Sequence, residues 1–385
     1  MPAPRLHPTD ATPLRLPPQV QPMLLVVVDT EEEFDWSAPF SSKARSTSNM
    51  REQRHAQAVL DRHGARPLYA IDHPVATDAW SAAWLRETRA DGRCDVGSHL
   101  HTWVNPPHEG EGEGPAASYG CNLPPALERR KIEALTEAVA EAMGGQPPVH
   151  FRSGRYGIGP ATPGILAGLG YTCDLSLAPH SSFAADGGPQ FYGWSNAPFR
   201  FGPDEALVGL PVTTGFSGLL SGLGAGLAPS LDAGWARGLR APGLLARLGL
   251  LERCRLTPEG VPLDSLQRLM AALVGAGERV LTLSYHSSTL LPGATPYARD
   301  AAQRDALLGR LDGALGYFVD ALGGRLADAG SVEATVRAHG KPLVNRRLSE
   351  VAYGSCNAAS RKTASGKASA DDAITGTRRG APDEI

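Results

Sequence analysis

The stretch Met23–Asp29, MLLVVVD, constrains the fold of this 385-residue chain more than any other. It is apolar and β-branched without alternation, so both faces of a strand formed there need cover. Strands of that kind belong to parallel sheets with helices packed against them. Similar short runs recur in RPLYAID, GRCDVGSHLH, PPVHFRSG, LVGLPVT and RVLTLSYH. Helical patterns separate most of them: NMREQRHAQAVLDRHG precedes the second run, SAAWLRETRADG the third and NLPPALERRKIEALTEAVAEAMGG the fourth. TPGILAGLG leads to YTCDLSL, and SLQRLMAALVGAG leads to VLTLSYH. The repeated strand, helix, strand order predicts an α/β protein with a parallel sheet. Roughly seven such units in roughly 330 residues fit a distorted (β/α) barrel better than an open doubly wound sheet.

The ends of the chain read differently. Residues 1–21 carry six prolines and no periodicity, and residues 355–385 are small and polar. Both are expected to be disordered tails around a folded domain spanning 22–354. Within that domain, 215–260 is rich in Gly, Leu and Ala with arginines spaced through it. It reads as an insertion of short helices, with a lid, an oligomer contact or a peripheral membrane contact as its expected use. Hydrophobic residues at 42% and charged residues at 20% exclude a disordered polar chain and a membrane bundle. No apolar run is long enough to cross a bilayer. A net charge of −3 removes any whole-protein electrostatic argument for nucleic acid. Five scattered cysteines (Cys94, Cys121, Cys173, Cys254, Cys356) without a CxxC, and an N-terminus without an apolar signal core, give a cytoplasmic expectation.

In a barrel, reactive residues stand at the C-terminal ends of the strands. Those ends carry Asp29-Thr30-Glu31-Glu32, His99-Leu100-His101-Thr102-Trp103, Arg152-Ser153-Gly154-Arg155-Tyr156, and Ser284-Tyr285-His286. His99 and His101 are two apart, so on a strand they share a face and both imidazoles can reach one divalent ion. Glu31 and Glu32 would add carboxylates to that set, and an open position would hold a water with a lowered pKa. Asp29 leaves an apolar strand and needs a partner, for which Arg152 is suited. The pair serves either as structure or as a general base oriented by a guanidinium. His286 is either a hydrogen-bonded core histidine or a general acid.

VVVDTEEEFDW, DVGSHLHTWVNPP, FRSGRYG with GLGYTCDLS behind it, and LTLSYHSSTLLPG resemble the ordered motifs of the NodB-homology polysaccharide deacetylases, carbohydrate esterase family four. More narrowly they resemble the WalW-like branch linked to lipopolysaccharide biosynthesis. The resemblance covers about residues 23–325. It implies a distorted (β/α) barrel that removes N-acetyl groups from a glycan with a divalent metal, zinc being the expected ion. Asp29 matches the first aspartate of the family's TFDDG motif, the catalytic base. The second aspartate, a ligand, is missing, and Glu31 or Glu32 must take its place. His99 matches the first histidine of HxxxH, but Trp103 stands four residues on, so His101 is the candidate second ligand. Arg152 matches the arginine that positions the base, and His286 the terminal acid. Tyr156 falls near the oxyanion, with Arg155 and Trp103 on the substrate side. Asp174 falls near a fourth motif whose usual tryptophan is absent. Trp36, Trp103 and Tyr119 are candidates to stack on sugar faces. Two rivals stay open: another metal-dependent C–N hydrolase of this fold, which would need a closed pocket, and a silent glycan-binding protein.

Overall fold

The computed structural model describes residues 5–109, 114–233 and 241–343. It is a mixed α/β structure around a mostly parallel central sheet. The strands are β1 (Ala11–Arg15), β2 (Met23–Thr30), β3 (Leu68–Ile71), β4 (Asp95–Leu100), β5 (His150–Ser153), β6 (Cys173–Asp174), β7 (Phe199–Phe201), β8 (Leu207–Gly209), β9 (Thr214–Ser217), β10 (Glu252–Arg255), β11 (Val280–His286), β12 (Arg325–Leu326) and β13 (Lys341–Pro342). Seven run parallel in the order β11-β2-β3-β4-β5-β6-β8, and antiparallel β7, β1 and β13 continue from β8.

β2 lies between β11 and β3 and also pairs with β12, and all eight of its residues are buried, as its unbroken apolar run requires. α1 (Gln53–Arg62), α2 (His73–Thr77), α3 (Ala79–Ala90), α4 (Pro125–Ala142) and α5 (Thr162–Gly168) cover the sheet between successive strands. Aspartates start several helices. Asp72 accepts from Val75 N at the head of α2, and Asp78 accepts from Ser81 N at the head of α3.

The barrel closes imperfectly. No ladder joins β8 to β11, and the seam is bridged by threonines instead. Thr213 N donates to Thr282 Oγ1 (3.0 Å), Thr282 N donates to Thr213 Oγ1 (2.8 Å), and Thr282 Oγ1 donates to Pro211 O (2.6 Å). These bonds satisfy polar groups that an open edge would leave exposed.

Two expectations change. Residues 5–21 are ordered: β1 pairs with β7 and β13, and Leu6, Leu14 and Leu16 are buried. The prolines remove donors, but the alternation in Thr12-Pro13-Leu14-Arg15-Leu16 still sends leucines inward. The stretch 215–260 is not helical throughout, because β9 and β10 form an antiparallel pair, with Glu252 opposite Ser217 and Arg255 opposite Thr214. Short helices do occur at Gly224–Leu231 and Ala241–Arg247. The expected C-terminal tail, 355–385, lies outside the described residues.

Candidate active site

The parallel register gathers the polar strand ends. His286 lies opposite Asp29, and His99 lies opposite Arg152. A small cavity at this end of the barrel is lined by Asp29, Glu31, His99, His101, Ser153, Arg155, Tyr156 and His286.

Asp29 is nearly buried and is held by a two-pronged ion pair. Arg152 Nη2 donates to Asp29 Oδ2 (2.9 Å), and Arg152 Nε lies 2.6 Å from Oδ1. Arg152 Nη1 donates to Leu175 O (2.9 Å), so the guanidinium is fixed from both sides. This geometry fixes where the carboxylate points.

Glu31 stands against both histidines, its Oε2 3.4 Å from His101 Nε2 and 3.8 Å from His99 Nε2. Its other oxygen accepts from Ser288 Oγ (3.0 Å). Burial pushes Glu31 up to about 8, against the pull of His286 and His101. Burial also holds His99 well below its usual range, helped by His101 and Arg152, and keeps its imidazole neutral. His99 Nδ1 is buried without a hydrogen-bond partner. Each of Glu31, His99 and His101 offers one ligand atom within 4.8 Å of the others. Two neutral imidazoles and a carboxylate form a donor set suited to a catalytic divalent ion with one position open. Gly154 allows this packing: a Cβ there would lie 2.6 Å from Leu100 O and closer still to the His101 ring.

Glu32 points away from the cavity. Its Oε2 accepts from His101 Nδ1 (2.8 Å), its Oε1 accepts from Trp103 Nε1 (2.6 Å), and its backbone N–H donates to Asp72 Oδ2 (2.7 Å). Of the two glutamates, Glu31 is therefore the one facing the cavity beside both histidines. Trp103 is corrected from the substrate side to the wall behind His101. It is buried, stacked on the imidazole at 4.1 Å with 27° between the rings, and packed on Phe40. Tyr119 is fully buried beneath the Arg155 guanidinium (4.3 Å), so its ring offers no face to a sugar. Trp36 is half-buried, and its ring meets His286 at 5.3 Å.

Arg155 and Tyr156 sit at φ values of 51° and 59°, a left-handed pair that costs energy and turns both side chains toward the cavity. Arg155 Nη2 donates to Asp186 (2.6 Å) and Nη1 to Ser118 Oγ (2.8 Å). Tyr156 OH accepts from Arg255 Nη1 (2.8 Å). Asp174 is buried at the end of β6 and accepts from Ser176 Oγ (2.6 Å); burial raises it to about 6, and it does not line the cavity.

The sequence reading missed Glu259. It is buried, accepts from His286 N (3.0 Å) and His286 Nδ1 (2.8 Å), and receives Thr289 Oγ1. Burial opposes a charge on His286, but Glu259, then Glu31 and Asp29, overcome it and hold the imidazole well above its usual range. With Nδ1 on Glu259, Nε2 faces the cavity 3.8 Å from Asp29 Oδ2. Glu259 lies in LTPEGVP, at the end of the stretch read as an insertion, where no strand end marked it.

No family model matches this chain. No curated protein matches it. Solved structures do. A Parabacteroides distasonis protein assigned as a glycoside hydrolase/deacetylase aligns over 85% of this chain and 74% of its own, at 10% identity and a TM-score of 0.52. A Mycobacterium smegmatis protein assigned as a polysaccharide deacetylase aligns over 87% and 99%, at 16% identity and a TM-score of 0.47. The chitin deacetylase of Colletotrichum lindemuthianum aligns over 83% and 89%, at 14% identity and 0.36. The first of these shows a shared fold.

Proposed function

We propose that this protein is a metal-dependent hydrolase that removes N-acetyl groups from a sugar, of the polysaccharide deacetylase type. One observation carries the reading: a clamped carboxylate, a buried Glu-His-His donor set and a charged histidine converge on one cavity from four strand ends. The assignment of the Parabacteroides distasonis structure that shares the fold, a glycoside hydrolase/deacetylase, agrees with it.

Glu31, His99 and His101 would hold the cation, and zinc suits their donors. A divalent ion there would supply a Lewis acid for the amide carbonyl and would make the attacking water more acidic. Asp29 takes the proton of the attacking water, and Arg152 keeps the carboxylate oriented. His286 carries its proton on Nε2 toward the cavity and passes it to the departing amine nitrogen as the C–N bond breaks. Glu259 holds the other ring nitrogen and stabilises the charge. The turn at Arg155 and Tyr156 sets the wall against which the acetamide is placed.

A groove beside the site, joined to it through the contact of Trp36 with His286, favours a glycan over a small amide. Trp36, Asp35, Pro292, Thr295 and Arg299 line an open groove of about 660 Å³. A sugar polymer or carrier-linked sugar needs such a groove, with Trp36 offering a face beside His286. A cell-surface polysaccharide or lipopolysaccharide precursor, as in the WalW-like branch, is the substrate this reading favours. Leu219, Leu223, Leu244 and Leu248 are all more than half exposed on the 215–260 stretch, which supports an approach to a lipid-linked form. No helix among the described residues is long and apolar enough to cross a membrane. A cytoplasmic setting belongs to the same proposal, supported by the four cysteines among the described residues, which are buried, unpaired thiols.

The test joins metal analysis to acetate release from N-acetylated glycans, free, nucleotide-linked and lipid-linked. We expect one divalent ion per chain and release from at least one class. Asp29→Asn should stop turnover while keeping the ion. Bound glycan without acetate release from any class would replace this reading with a silent binding protein.

A further inference from the structure

His101 lies between two carboxylates on opposite edges of its ring: Nδ1 is 2.8 Å from Glu32 Oε2, and Nε2 is 3.4 Å from Glu31 Oε2. Two ligand sets can therefore be drawn through it, Glu31-His99-His101 and Glu32-Asp72-His101. They need opposite nitrogens of the same imidazole. A neutral imidazole has one N–H and one lone pair, so it serves only one of the two sets at a time.

The surroundings of Glu32 decide between them. Both of its oxygens are engaged, one by His101 Nδ1 and one by the Trp103 indole N–H at 2.6 Å. The indole also stacks on the imidazole at 4.1 Å. Behind Glu32, its own backbone N–H donates to Asp72 Oδ2, while Asp72 Oδ1 caps α2 through Val75 N. A cation taken by Glu32 and Asp72 would displace these donors. It would leave the buried indole N–H without its acceptor.

We propose that Glu32, clamped by Trp103 and backed by Asp72, is a positioning carboxylate. It keeps the His101 proton on Nδ1 and the lone pair on Nε2, so that the cation is held by Glu31, His99 and His101. The inference rests on the metal-dependent reading above and deepens it. It also accounts for Trp103 at the position where HxxxH would place a histidine: the tryptophan contributes through Glu32 and not to the ion. A carboxylate on the far nitrogen of a ligand histidine fixes its tautomer and raises its basicity.

The test is metal affinity of the full chain, read by zinc competition against a chelator and by the visible spectrum of the cobalt form. Wild type should bind one ion. Glu31→Gln, which removes a ligand, should weaken binding most and change the cobalt spectrum. Glu32→Gln and Trp103→Phe should each weaken zinc by roughly 10–100-fold while keeping the stoichiometry and the spectrum. In the Glu32→Gln background, Trp103→Phe should add less than about twofold, because the indole acts through Glu32. Trp103→Phe keeps an aromatic ring beside the imidazole and removes the N–H without touching Glu32, so a folding defect in Glu32→Gln leaves the test standing. Loss of the ion and a changed spectrum in Glu32→Gln, with both kept in Glu31→Gln, would put the cation in the other set. Unchanged affinity in Trp103→Phe, or full additivity of the two variants, would remove the positioning role. A wild type that binds neither ion would sink the metal-dependent reading itself, and this inference with it.

Discussion

His101 and His286 make the same hydrogen bond and differ in charge: the first is neutral and the second cationic. Each rests Nδ1 on a buried glutamate oxygen at 2.8 Å, Glu32 in one case and Glu259 in the other. Burial lowers His101 below its usual range, more than Glu31, Asp72 and Asp29 lift it. Burial also opposes His286, but there the carboxylates win and the value is raised well above normal. The difference lies in the glutamates and the depth. Burial raises Glu259, but His286, Thr289 and a backbone N–H bring it below its usual value, so it stays ionised. Burial raises Glu32, and Asp72 behind it is raised further by burial and by Glu32. The His101 side chain is 4% exposed, against 15% for His286. A partner on Nδ1 orients a histidine; the charges and solvent beyond that partner decide whether it is a neutral ligand or a charged acid.

The largest effects should come from removing the two rings. His101→Ala should lose bound metal, and with it all measurable acetate release. His286→Ala should keep the metal while the rate falls roughly a hundredfold to ten-thousandfold, the usual contribution of positioned proton transfer. Metal analysis and acetate release on the same preparations check both. Metal loss in the His286 variant would erase the distinction between the two histidines.

Changing the glutamates should give smaller, separable effects. Glu259→Gln removes the strongest charge that lifts His286. The alkaline limb of the pH–rate profile, where the acid loses its proton, should then move to lower pH, toward the ordinary histidine value of about 6.5. Glu32→Gln should leave that limb in place once the protein is saturated with metal. An alkaline limb that stays fixed in Glu259→Gln would assign the limb to another group.

The strands were legible because each apolar run announces itself, and the barrel places their ends together without further help. Asp29, His99, Arg152 and His286 follow from that rule alone. Glu259 did not, because it stands on a turn among glycine and proline, and only the fold carries that turn to His286. Trp103 was misplaced for a related reason. Its position beyond the strand end suggested the rim, whereas Lys131 Nζ donates to Thr102 O and Asn105 O and draws the loop inward against α4. The N-terminal strand was hidden by prolines, whose count outweighed the two leucines that anchor β1.

The smallest expected effect concerns stability, and it sharpens the comparison because the two histidines predict opposite slopes. His286 has a folded pKa above its unfolded value. Its contribution is therefore complete below about 6.5 and is lost as pH rises through the folded value. His101 has a folded pKa below its unfolded value. The unfolded chain then takes up a proton that the folded protein refuses, and stability falls as pH drops below about 6.5. In metal-free protein, the melting midpoint of wild type minus His286→Ala should shrink with rising pH, and that of wild type minus His101→Ala should shrink with falling pH. Each change should be on the order of a degree or two, since one kcal/mol moves a chain of this size by only a few degrees. Difference curves of the same sign would mean that the two rings share one charge state, and the separation of ligand from acid would fail.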